Sequence, residues 1–174
     1  MNSVTVIDYG IVNLGNVVRG LERVGARVRA SMDPDVVRQA DRLVLPGVGA
    51  FAAGIAELSS RSLDHAVSEA ARAGTPLLGI CLGMQMLFDS SDEMGQHAGL
   101  CLLPGHVVGF DFGGHVTTSR VYHVPHTGWN QLQQRSDNLL LDGLQSGSYA
   151  YFNHSYYCLP DDSADVVACT DHGG

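Results

Sequence analysis

The chain contains no lysine: all ten of its Lys/Arg positions are arginine, set against 18 acidic residues, for a formal net charge of −8. With that balance and no basic cluster, a nucleic-acid or anionic-membrane surface is not expected, and the partner should be a small molecule or a protein. No run of about 18 apolar residues occurs, and no charged-then-apolar leader opens the chain, so neither a membrane span nor a secretory signal is read and a cytoplasmic location is expected. The missing lysine also excludes a P-loop, which needs G-K-[ST]. Cys81, Cys101, Cys158 and Cys169 form no C-x-x-C pair, which argues against a zinc knuckle or a thioredoxin-type redox pair. Two further absences bear on catalysis. None of the eight histidines is followed two residues later by a carboxylate, and no glutamate occurs after Glu93.

What remains is ample for one core: 174 residues, 45% apolar and 16% charged, read as a single domain over 1–174. Val4-Thr5-Val6-Ile7 is a β-branched run. Leu14, Val17, Val18, Leu21 and Val24 follow at helical spacing until Gly25. Ala26 to Ser31 reads as a second strand, Asp33-Pro34 opens a short helix through Ala40, and Leu43-Val44-Leu45 is a third strand. Leu63, Val67, Ala70 and Ala71 mark another helix, stopped by Gly74, and Pro76 to Ile80 is a strand. This alternation predicts an α/β fold with a mainly parallel sheet and helices on both faces. From about residue 100 the pattern changes to β-rich pieces (Leu102 to Phe112, Gly114 to Val124, Tyr149 to Leu159, Asp165 to Ala168), read as an antiparallel extension of the same domain.

The chemistry concentrates where the strand ending at Ile80 meets Cys81. Gly79-Ile80-Cys81-Leu82-Gly83 places a thiol between two glycines at a strand-to-helix turn, with Cys81 through Phe88 favouring helix. In such a nucleophile elbow the residues two before and two after the nucleophile crowd one another, and the strained turn pushes the side chain into the open. The helix would direct its first N–H groups and positive dipole end at the sulfur, favouring thiolate. An isolated G-x-C-x-G fits a buried cysteine beside packing glycines equally well. Gln85 separates the two readings, because it lies one turn on, on the same face, where an amide serves no purpose unless something polar binds there. Pro46-Gly47-Val48-Gly49 ends the preceding strand of the same sheet. Its N–H groups, with that of Leu82, could form an oxyanion hole. Cys101, Cys158 and Cys169, in apolar surroundings, are expected to be inert core residues.

These segments resemble the glutaminase subunit of imidazole glycerol phosphate synthase, within the triad-type (class I) glutamine amidotransferases. Asp8-Tyr9-Gly10 with Asn13-Leu14 is similar to the family's first strand and turn, and Leu45 to Phe51 to its oxyanion strand. Gly79 to Gln85 matches its elbow. Pro125-His126-Thr127-Gly128-Trp129-Asn130 is similar to P-H-M-G-W-N, and Tyr151-Phe152-Asn153-His154-Ser155-Tyr156 to Y-F-V-H-S-Y. The resemblance implies that Cys81 attacks the side-chain amide of glutamine while N–H groups near Gly49 and Leu82 hold the oxyanion. Gln85 and the main chain around His154, Ser155 and Tyr156 would bind the substrate. Ammonia would pass to a (β/α)8 cyclase subunit in a heterodimer, for imidazole glycerol phosphate formation in histidine biosynthesis, with Trp129 at the interface. No cofactor or metal is implied.

This chain departs from the family in lacking H-P-E, the base and its orienting acid. It therefore reads as a C-terminally incomplete domain; if complete, it should be severely impaired as a glutaminase. His126 and His154 are the nearest substitutes for the base, and His123-x-x-His126 is a weak metal-pair pattern with no third ligand nearby. Lesser departures are Val12 for Gly, Thr127 for Met, and Asn153 for Val, the last expected to be buried and in need of a polar partner. The alternatives are an amidotransferase subunit of a sugar-aminating synthase for surface polysaccharide, and a catalytically impaired interaction subunit that keeps the elbow as a scaffold.

Overall fold

The computed structural model describes residues 3–112 and 122–173. In its first half, strands and helices alternate: β1 (Ser3–Ile7), α1 (Leu14–Arg23), β2 (Arg27–Ser31), α2 (Pro34–Arg38), β3 (Leu43–Gly47), α3 (Phe51–Ser60), α4 (Leu63–Arg72), β4 (Leu77–Cys81) and α5 (Leu82–Gln85). The two glycine stops work as the sequence implies. Gly25, at φ 86°, donates to Glu22 O while Ala26 donates to Leu21 O; Gly74, at φ 92°, and Thr75 repeat the pattern on Ala71 and Ala70. Both are Schellman caps, which need a left-handed residue that glycine adopts without a Cβ clash. Asp33 caps α2 by accepting from the Asp35 N–H at 2.9 Å, with Pro34 in the first turn.

The four strands form an all-parallel sheet in the order β2-β1-β3-β4. Alternation along the strands divides the core in two. Val4, Val6 and Val44 pack against Leu14, Val17, Val18 and Leu21 of α1. Ile7, Leu43 and Leu45 pack on the other face with Val37, Phe51, Leu58, Leu63 and Val67 from α2, α3 and α4. Helices thus cover both faces, as predicted. Pairing of β3 with β4 sets Gly47 directly beside Cys81, so the glycine loop and the elbow leave the sheet at the same level.

The second half contains β5 (Phe88–Ser91), β6 (His97–Ala98), β7 (Leu103–Gly109), β8 (His126–Gln131), β9 (Gln133–Gln134), β10 (Tyr149–His154), β11 (Tyr156–Pro160) and β12 (Ala168–Cys169). These form a mixed sheet, β11-β7-β5-β6, and two antiparallel ribbons, β10-β8 and β12-β9. All pairings are antiparallel except β5 with β7.

Several expectations need correction. Helix α3 was not predicted, although Phe51, Ile55 and Leu58 hold helical spacing; Gly54 and the alanines around it dilute the apolar signal. The helix read through Phe88 ends at Gln85, because Phe88 is buried and drawn into β5, where it pairs with Leu103 of β7. The β-rich piece Tyr149 to Leu159 is two strands in different sheets, broken at Ser155. In the piece Asp165 to Ala168 only Ala168 is in a strand, after a single 3-10 turn at Ser163–Asp165. The piece Gly114 to Val124 lies largely outside the described residues. Among the described residues no helix is long and apolar enough to cross a membrane.

Candidate active site

Cys81 sits at φ 54°, ψ −117°, a backbone conformation that L-residues rarely adopt and that costs on the order of 1–3 kcal/mol. The surrounding glycines hold it there. A Cβ on Gly83 would lie 1.8 Å from the Leu45 carbonyl oxygen, and one on Gly79 would meet Met84 Cα at 2.5 Å and Gly83 C at 2.9 Å. The expected crowding between the two glycines is therefore present at Gly79, whereas Gly83 is small chiefly because it packs on β3. Gly47 completes the set: a Cβ there would stand 2.7 Å from both Gly83 N and the Tyr9 hydroxyl. The Cys81 side chain is exposed. Because α5 is one turn long, it offers N–H groups without an intrahelical acceptor rather than an extended dipole.

A cavity of about 360 Å3 opens at the thiol. It is lined by Val48, Gly49, Cys81, Leu82, Gln85, Asn153, His154, Ser155 and Tyr156, and also by Glu93 and Pro125. Segments separated by up to 108 positions in the chain (Val48 to Tyr156) thus converge on one concavity. Gly49 has φ 90°, which leaves the Val48-Gly49 peptide free to adopt a geometry closed to other residues. Gln85 Nε2 donates to the Tyr156 carbonyl at 3.2 Å, so the elbow helix and β11 are bonded across the cavity. Trp129 lies apart from it, 70% exposed on β8, edge-on to Tyr151 of β10 with ring centroids 5.7 Å apart.

Three residues of the site escaped the sequence reading or were read there only as part of a motif. Glu93 accepts from the Phe51 N–H at 2.7 Å, which caps α3 and fixes a carboxylate on the cavity wall. Its place as the last glutamate of the chain was visible, its role was not. Tyr9 is fully buried beneath the elbow, with no hydrogen-bond partner for its hydroxyl among the described residues. Burial, then the charge on Cys81, pushes its pKa up. Pro125 has no signal beyond its place before His126.

His126 and His154 bond each other, Nδ1 to Nε2, at 3.0 Å. The other nitrogen of His154 meets the Tyr156 carbonyl at 2.9 Å, and that of His126 meets Asn130 Nδ2 at 3.2 Å. All four ring nitrogens are engaged, so neither histidine presents a vacant lone pair to Cys81. The same bonds remove His126 from any metal pair with His123, whose carbonyl is met by His172 Nε2 at 3.0 Å. Asn153 is exposed rather than buried, and its Oδ1 accepts from Thr127 Oγ1 at 3.2 Å across the β8-β10 pair. The two departures at these positions are thus partners. Val12 is half-buried against the larger core cluster. The other cysteines differ from expectation: Cys101 is exposed, at φ 51°, and Cys158 and Cys169 are only half-buried. Burial, and secondarily the charge on Cys81, still pushes the Cys158 thiol up to about 12, which keeps it protonated and inert.

Known proteins resemble this chain in sequence and in fold. The model of the family described as glutamine amidotransferase class-I matches residues 5–174. The imidazole glycerol phosphate synthase subunit HisH of Syntrophotalea carbinolica is 45% identical over 170 residues, covering 98% of this chain and 82% of the relative. The subunit of the same name from Natronomonas pharaonis is 49% identical over 174 residues, covering 97% and 76%. Among solved structures, a glutamine amidotransferase superposes with a TM-score of 0.70 at 17% identity, over 95% of this chain and 78% of that one. PurLQS from Thermotoga maritima gives a TM-score of 0.66 at 20% identity, over 97% and 74%. At those identities the structures speak for the fold, and the relatives and the family model carry the assignment: this chain belongs to the class-I glutamine amidotransferase family.

Proposed function

We propose that the chain is the glutaminase subunit of an imidazole glycerol phosphate synthase, releasing ammonia from glutamine for a (β/α)8 cyclase partner in histidine biosynthesis, in the cytoplasm. The observation that carries the reading is the cavity in which an exposed thiol on a strained elbow meets Gly49, Leu82, Gln85 and the Tyr156 segment. In this reading the Cys81 thiolate attacks the glutamine side-chain carbon. N–H groups near Gly49 and Leu82 take the charge of the tetrahedral oxygen, and ammonia departs from a thioester that water then hydrolyses to glutamate. Gln85 and the main chain around His154, Ser155 and Tyr156 hold the substrate. Glu93, the one carboxylate on the cavity wall among the described residues, faces the substrate's ammonium group.

Thiol attack and amine departure both need a proton carrier. The chain spans about four fifths of the length of its relatives, between 76% and 82%. We assign the base and its acid partner to an H-P-E pair of the family, which residues 1–174 do not contain. The commitment of both nearby imidazoles to each other favours one second reading, an interaction subunit with little glutaminase activity of its own.

The test is glutamate release by the chain with its cyclase partner, with and without the genomic continuation, beside Cys81→Ala. Turnover that requires the continuation and disappears with Cys81→Ala supports the assignment. Equal rates from the parent and Cys81→Ala would refute it, and absence of turnover even with the continuation would leave the scaffold reading.

A further inference from the structure

On the inner face of the β8-β10 ribbon a line of hydrogen bonds runs without a break from Asn130 to the cavity. The Tyr156 carbonyl accepts from His154 Nδ1 at 2.9 Å and from Gln85 Nε2 at 3.2 Å. His154 Nε2 meets His126 Nδ1 at 3.0 Å, and His126 Nε2 meets Asn130 Nδ2 at 3.2 Å. Asn130 Nδ2 also donates to the Asp171 carbonyl at 2.8 Å, and Asn130 Oδ1 accepts from the Gln131 N–H at 2.8 Å.

The protons can be placed from either end. A carbonyl only accepts, so His154 carries its proton on Nδ1; the neutral ring then offers a lone pair at Nε2, and His126 must donate to it from Nδ1. That leaves His126 Nε2 as an acceptor. From the other end, the Gln131 N–H fixes the orientation of the Asn130 amide, which aims a donor at His126 Nε2. Both ends require the same state, two neutral imidazoles each protonated on Nδ1. This is a demand on proton position, and ring packing alone does not make it.

We propose that Asn130, His126 and His154 are positioning residues for the glutamine site: their line of bonds, with both rings held as Nδ1–H tautomers, sets the Tyr156 carbonyl and through it the Gln85 amide. The inference rests on reading the Cys81 cavity as the glutamine site. His126 is 4% exposed, and its burial, followed by the nearby His172 and His154, lowers its pKa, which favours the neutral ring. A neutral amide or imidazole at each step transmits direction, because each group donates at one end and accepts at the other. Loss of any one leaves its neighbours free to rotate or reverse.

Two measurements on the full chain test it. Long-range 1H–15N correlation spectra at pH 7.5, assigned with His126→Asn and His154→Asn, should show both rings protonated on Nδ1; an Nε2-protonated ring at either position overturns the proposal. Calorimetric glutamine affinity supplies the functional arm. Asparagine keeps a donor near the place of Nδ1, and alanine has none. His126→Asn should bind glutamine within about threefold of the parent, whereas His126→Ala should bind about fivefold to tenfold more weakly, as expected for one lost hydrogen bond. Alanine equal to the parent, or asparagine as weak as alanine, overturns the role. A parent chain whose spectra show both Nδ1–H rings but which binds no glutamine defeats the reading of the cavity, and the positioning role with it. Nε2-protonated rings in a chain that does bind glutamine defeat the proposal alone.

Discussion

At the scale of single residues, the nucleophile's conformation is maintained by what its neighbours lack. Cys81 holds a positive φ that relaxation of the turn would relieve, and three glycines keep the backbone of β3, β4 and α5 close enough to prevent that relaxation. Gly83 is the sharpest case, because the atom a methyl group would strike is a main-chain oxygen at 1.8 Å and cannot swing aside. Gly83→Ala should therefore cost at least about 3 kcal/mol, the upper end of ordinary overpacking, and should displace Cys81 as well. Gly20 supplies the contrast. It lies inside α1 with nothing within 4 Å of its would-be Cβ, so Gly20→Ala should stabilise by about 0.5–1 kcal/mol through helix propensity. Urea denaturation of the two variants measures both. Similar effects at the two sites would mean that the close β3-α5 approach does not constrain the elbow.

At the scale of elements, the β8-β10 ribbon has two unlike faces. Strand alternation turns His126, Asn130, Phe152 and His154 inward, while Trp129, Tyr149 and Tyr151 stand on the outside, exposed by 70%, 64% and 58%. Large aromatics left in water on one rigid face are what a protein interface draws on, and they contribute little to the stability of the free chain. Trp129→Ala should weaken binding of the cyclase at least about tenfold, the scale of an aromatic hot spot, with the melting temperature of the free chain unchanged. Surface plasmon resonance with differential scanning fluorimetry checks both halves; unchanged affinity would place the interface elsewhere. The inward face was not legible in the sequence. The His-x-x-x-Asn spacing on one strand and the His two residues before Tyr156 were visible, but the His126–His154 bond joins positions 28 apart and depends on strand register. Outside α3, the first half is legible because its cues are local: β-branched runs, Gly25 and Gly74 as stops, Asp33-Pro34 as a start. The elbow helix was read too long because Met86, Leu87 and Phe88 suit a helix as well as a strand, and only pairing with distant β7 decides between them.

At the scale of the whole molecule, acidification acts on stability in two opposed ways. The formal charge of −8 is progressively neutralised, which relieves self-repulsion and favours the compact state. His126 acts against this. Its pKa in the folded chain lies below the ordinary 6.5, first because it is buried and then because positive charge on His172 or His154 would repel its own. His172 is stacked on it with ring centroids 3.9 Å apart, His154 is hydrogen-bonded to it, and Asp171 presents only a carbonyl to the adjoining Asn130. Above about pH 6.5 the ring is neutral whether the chain is folded or not, and its contribution is complete. Below that the unfolded chain takes up a proton that the folded chain refuses, so stability is lost as pH falls from 6.5 towards the lower folded value, by at most about 1.4 kcal/mol per pH unit for one proton. His126→Asn keeps a donor towards His154 and cannot titrate. Urea midpoints between pH 5 and 7.5 should therefore fall more steeply on acidification for the parent than for this variant, and the difference removes the common charge effect. Parallel curves would mean that His126 binds its proton as readily folded as unfolded, which a buried ring donating to one imidazole and stacked on another does not permit.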